Sequence, residues 1–119
     1  MFTASHVALA QGFYFLLTGL WPIVDDRSFQ RVTGPKTDVW LVKTVGLLIG
    51  IIGAGLILAG RRAVPPAESR WMALASAAGL GAVDVVYALQ GRISKIYLLD
   101  AGAEAGLIAG WLGARRRAA

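Results

Sequence analysis

Apolar residues dominate four stretches of the chain, each near the roughly 20 residues that an α-helix needs to cross about 30 Å of hydrocarbon. They cover residues 6–24, 39–60, 71–90 and 97–113. The second contains the longest uninterrupted apolar run, residues 45–60. Asp84, Asp100 and Glu104 interrupt the third and fourth, yet the background there is alanine, glycine and leucine rather than the charged face of a soluble helix. The pattern predicts an all-α fold, a four-transmembrane-helix bundle forming one domain over residues 1–119. No basic segment precedes the first apolar stretch, so it reads as a permanent span rather than a cleaved signal peptide.

The connections carry helix punctuation. Asp25-Asp26 fits the start of a short helix whose apolar residues Phe29 and Val32 fall three apart, and Gly34-Pro35 fits its end. Residues 25–36 are therefore expected to form an interfacial segment lying on the membrane. Thr37 or Asp38 would cap the second span, and Pro65-Pro66 with Glu68 would open the third. Gly91 would end it, and residues 91–96 are too few to make the last two spans anything but antiparallel neighbours.

Composition supports this reading. Only 16% of the 119 residues are charged, 56% are hydrophobic, and the mean hydropathy is +0.61. A soluble domain carries about 25% charge. The absence of cysteine excludes a disulfide scaffold and a Cys-ligated metal centre, and the single histidine, His6, excludes bis-histidine haem ligation within one chain. The net charge of +5 does not imply a nucleic-acid partner, because the cations flank the apolar runs where they anchor spans at headgroups. On a four-span topology, Arg61, Arg62, Arg70, Arg115, Arg116 and Arg117 face one side, and Arg27, Arg31, Lys36, Arg92 and Lys95 the other. Six against five puts both termini in the cytoplasm of a cell with an inner membrane. An antiparallel dual-topology dimer stays open. Trp21, Trp40, Trp71 and Trp111 fall near span ends and read as an aromatic belt.

Small residues allow membrane helices to approach closely. Gly102, Gly106 and Gly110 recur every four residues in the fourth span, Gly46 and Gly50 in the second with Gly53 nearby, and Ala75/Gly79 and Ala77/Gly81 in the third. Packing within one chain and a homodimer seam both fit, with the Gly102 stripe the natural dimer surface. Asp100, Glu104, Tyr97, Leu107 and Trp111 share the opposite face of that helix, so it is expected to meet protein on two sides.

Ionisable groups within a span cost about 2.5–3.5 kcal/mol each on insertion scales, and they usually face a bundle interior or a cavity. Lys43, Asp84 and Asp100 would lie about 5–10 Å from the midplane, in the half near residues 25–38, with Glu104 close to the middle. Gln11, Tyr14, Thr18 and Trp21 add a polar stripe on the first span. Together these residues predict an intramembrane site that binds or transports a small molecule or ion. Asp84 and Glu104 would be its binding or proton-carrying carboxylates, with Asp100, Lys43, Gln11, Tyr14 and Thr18 around them. Structural roles remain open: Lys43 could snorkel, Asp100 could favour a helix start, and the deeper acids could bond across helices. His6 reads as an interface residue.

No Walker loop, strand-bounded GxGxxG, HExxH or GxSxG occurs. No catalytic residue, cofactor or metal site is therefore expected, and an intramembrane acid–base enzyme ranks behind both a transporter and a non-catalytic partner or assembly subunit of a membrane complex.

Thr18-Gly19-Leu20-Trp21-Pro22 and Val32-Thr33-Gly34-Pro35-Lys36-Thr37-Asp38 resemble uncharacterised small four-helix bacterial membrane proteins, over about a fifth of the chain. That resemblance implies the architecture and no activity. In size and span count the chain is also similar to the small multidrug-resistance transporters. It departs from them in having no acid within residues 6–24, where they place a glutamate.

Overall fold

The computed structural model describes residues 3–114. Five helices follow one another: α1 (Ala4–Val24), α2 (Asp26–Thr33), α3 (Val39–Gly60), α4 (Ala67–Leu89) and α5 (Tyr97–Gly113). Their order matches the hydropathy pattern. α4 starts earlier than the apolar stretch because its first turn, Ala67-Glu68-Ser69-Arg70, is helical but polar. Three helices, α1, α3 and α4, are long and apolar enough to cross a membrane. α5 has 17 residues and carries Asp100 and Glu104.

Local chemistry sets the ends. Thr3 and His6 form a reciprocal cap on α1, an arrangement absent from the sequence reading of His6. Asp25 accepts a hydrogen bond from Ser28 N at 3.2 Å and opens α2. Gly34 ends α2 at φ +100°, and Gly91 follows α4 at φ +75°, conformations that disfavour a side chain. Asp38 precedes α3 without a side-chain capping bond.

The helices form two closely packed pairs, α1 with α3 and α4 with α5, that touch each other more lightly. Glycine makes the first pair. A Cβ added at Gly53 would stand 2.5 Å from Leu16 N, one at Gly19 would stand 2.6 Å from Gly50 N, and one at Gly12 would stand 2.8 Å from Gly53 O. Backbones meet there without side chains between them, the contact that small residues permit. Gly46, against the Gly19 carbonyl, and Gly50 therefore serve packing within the chain rather than a dimer seam. Their partners Gly12 and Gly19, seven residues apart, escaped a search for four-residue spacing.

On α5, Gly110 meets Val7 of α1, whereas Gly102 and Gly106 face open space. Of the two readings of this stripe, packing within the chain accounts for Gly110 and not for Gly102 or Gly106, because α4 and α1 lie on the helix's other sides. Gly79 of α4 is similarly open.

A core of Val7, Ala8, Leu56, Ala73 and Trp111 joins the two pairs. Trp111 is not a belt residue. It is fully buried, donates Nε1–H to Gln11 Oε1 at 2.7 Å, and carries Arg70 across its ring at 6.0 Å. Trp40 and Trp71 are exposed, as an aromatic belt requires, and Trp21 packs edge-on against Phe29. The long axis of the molecule is 47 Å.

Candidate functional site

Two adjacent helices bring three acids to one point. α5 places Asp100 and Glu104 one turn apart on the same face, and α4 turns Asp84 towards them. Gly81, one turn before Asp84, leaves room for Glu104, whose Cβ lies 3.5 Å from where a Gly81 Cβ would stand. One carboxylate oxygen from each of Asp84, Asp100 and Glu104 lies within 4.8 Å of the others.

Asp84 is 6% exposed and Glu104 only 1%. Asp84 Oδ2 and Glu104 Oε1 are buried without a hydrogen-bond partner among the described residues. Asp100 is better satisfied, since the Tyr14 hydroxyl of α1 donates to its Oδ1. Buried polar atoms are ordinarily hydrogen-bonded, so two orphaned carboxylate oxygens side by side are exceptional. Three like charges crowded into an apolar setting require a proton or another cation to share the space.

The acids help to line a cavity of about 520 Å³. All five helices contribute to it. Tyr14, Phe15, Thr18 and Trp21 come from α1, Phe29 and Val32 from α2, Val45 and Ile49 from α3, Leu80 and Val83 from α4, and Tyr97 from α5. Pro22, in the last turn of α1, and Gly46 bring the α1 and α3 walls together. This size falls within the range of small-molecule sites, roughly 300–1,000 Å³.

Lys36, in the connection after α2, belongs to the same cavity. Its ammonium donates to Thr33 O, Thr33 Oγ1 and Gly34 O at 2.9–3.2 Å. It also stands 5.8 Å from the Phe29 ring centre and 5.2 Å from that of Tyr97, within cation–π range. Lys36, Phe29 and Tyr97 were not among the expected site residues. The amphipathic spacing of α2 places Phe29 on its apolar side, and Tyr97 shares the helix face of Asp100 and Glu104, but nothing in the pattern marks Lys36.

The expected residues divide. Asp84, Asp100, Glu104, Tyr14 and Thr18 all line the cavity. Thr18 spends its hydroxyl proton on the Tyr14 carbonyl, at 2.7 Å. Gln11 does not join them: it is fully buried between Trp111 Nε1 and Ala73 O, accepting from one and donating to the other at 2.9 Å. Lys43 is exposed on α3 and does not line the cavity, so it is not the counter-ion of the acids. Depth along a helix placed it beside them, but its direction about the axis takes it elsewhere.

Chemically, the site offers carboxylate oxygens and a phenol. That donor set suits a hard metal ion, an N–H-bearing cation or a proton. No family model matches the chain, and no curated protein or solved structure shows significant similarity to it.

Proposed function

We propose that the chain is a four-span integral membrane protein that binds or transports a small cationic molecule or ion through the Asp84–Asp100–Glu104 site. The observation that carries this reading is the pair of buried, unpartnered carboxylate oxygens opening on a cavity. The spans rest on three long apolar helices, with α5 returning antiparallel along α4 after a short connection. Exposed side chains such as Leu17, Leu58, Leu99 and Leu112 are those expected to face lipid. α2, amphipathic and short, would lie at the interface over the cavity mouth. The sequence resemblance points to a bacterial inner membrane, and the cation distribution to cytoplasmic termini, although Arg115, Arg116 and Arg117 lie outside the described residues.

The open Gly102–Gly106 face favours a second reading, in which the protein is a non-catalytic partner or assembly subunit and α5 meets another membrane helix there. Infrared difference spectroscopy on lipid-reconstituted protein separates the two. A carboxyl band that shifts when cations are added, and is lost in Asp84→Asn and Glu104→Gln, supports binding. Carboxyl bands indifferent to every added cation would leave the acids a structural role and favour the partner reading.

A further inference from the structure

We infer that the occupant of this cavity is a membrane-dissolved amphiphile with a primary ammonium head, its nitrogen held among Asp84, Asp100 and Glu104 and its apolar body lying between α3 and α4. The inference rests on the cation-binding reading and specifies its ligand.

Four observations converge. An ammonium presents three N–H donors and no acceptor, which matches three acceptor groups converging from two helices. With N–H···O contacts of roughly 2.8 Å, one nitrogen can reach three acceptors that stand up to about 4.8 Å apart. The carboxylate oxygens here lie within 4.8 Å of one another. Asp84 Oδ2 and Glu104 Oε1 also have no hydrogen-bond partner among the described residues.

The rest of the cavity fits a hydrocarbon rather than a hydrated ion. Besides the acids its walls include Phe15, Val45, Ile49, Leu80 and Val83. A divalent metal would have to shed its water shell along that surface, whereas an alkyl chain is stabilised by every CH₂ it buries there.

The protein already seats one alkylammonium in this cavity. The Lys36 side chain is a four-carbon amine, and its nitrogen sits over the Phe29 and Tyr97 rings. These rings, which line the same cavity as the acids, therefore already accept an ammonium.

Finally, the wall has a lateral opening. α3 and α4 barely touch, and Val45 and Val83, which line the cavity from either side, are each about half exposed, 50% and 49%. A ligand entering there would come from the hydrocarbon phase, head first towards the acids.

The test measures binding of dodecylammonium to the full chain in lipid nanodiscs, read by tryptophan fluorescence because Trp21 lines the cavity. Dodecanol, dodecyltrimethylammonium and Mn²⁺ are titrated in parallel. Saturable dodecylammonium binding is expected, weakened by about tenfold or more in Asp84→Asn and in Glu104→Gln, with circular dichroism confirming that both variants fold. Dodecyltrimethylammonium, lacking N–H donors, and dodecanol, lacking charge, should bind at least about tenfold more weakly than dodecylammonium. Lys36→Ala, which frees the two rings, should tighten binding. Equal binding of dodecanol and dodecylammonium, or unchanged binding in both carboxyl variants, overturns the inference. Carboxylate-dependent binding of Mn²⁺ without binding of the amine also overturns it, while leaving the cation site intact. Failure of folded protein to bind any of the cations overturns both.

Discussion

Trp111 of α5 donates its indole hydrogen to Gln11 of α1 at 2.7 Å, with both side chains fully buried and 100 residues apart in sequence. Gln11 passes the connection on to the Ala73 carbonyl of α4 at 2.9 Å. One side chain thus ties together three helices from both helix pairs. Removing it orphans the buried Trp111 indole donor and takes a second bond from the Ala73 carbonyl, which keeps its place in the α4 ladder. Gln11→Ala should lower unfolding stability by about 1–3 kcal/mol, measured by thermal or denaturant unfolding in detergent or lipid, and should leave cation binding at the distant acids unchanged.

The α1–α3 crossing sets the geometry of one cavity wall. Gly53→Leu forces a side chain into the Leu16 backbone, 2.5 Å from the position of its Cβ. It should destabilise the protein by about 3 kcal/mol through overpacking, visible as a lowered unfolding midpoint. A midpoint equal to the parent's would refute the backbone contact.

A Cβ added at Gly106, as in Gly106→Leu, meets nothing within 4 Å among the described residues. The variant's stability as a monomer should stay within about 0.5 kcal/mol of the parent, the range for unencumbered surface positions. Cross-linking in membranes then reports on partners: a dimer that disappears in this variant would identify the open face as the seam of the partner reading.

These contrasts show what the chain's pattern reveals by itself. Residues 39–60 announce a helix because nothing polar interrupts residues 45–60, and Gly34 and Gly91 mark stops because only glycine readily takes their backbone angles. The depth of Asp84 and Glu104 is legible from counting residues along a span. What escapes is direction about the axis and the identity of the partner. Trp111 near a span end looks the same whether it faces headgroups or Gln11, and Lys43 shares the depth of Asp100 but not its cavity. Lys36 was read as a flanking cation because nothing local reveals that Tyr97, sixty-one residues later, closes over it.

Topology has a direct readout. A reporter fused at the carboxyl end should register on the cytoplasmic side, and one placed within residues 91–96 on the opposite side. Both reporters on one side would remove α5 from the set of spans.

Removing charge from the acid cluster should separate folding from binding. Asp84→Asn and Glu104→Gln keep the shape of each side chain while relieving the crowding of like charges. Each protein should therefore unfold at a temperature equal to or above the parent's, with its cation response diminished. A large loss of stability in both would assign the carboxylates to helix packing.

The most direct measurement is labelling of the lipid-reconstituted protein with a hydrophobic carbodiimide, which attacks protonated carboxyls in apolar surroundings, followed by peptide mass spectrometry with and without dodecylammonium. Of the seven acids in the chain, Asp84 and Glu104 should take up most of the label, and the amine should protect them. Label spread evenly over the acids, or uptake at Asp84 and Glu104 that no cation slows, would contradict a ligand-binding carboxylate site.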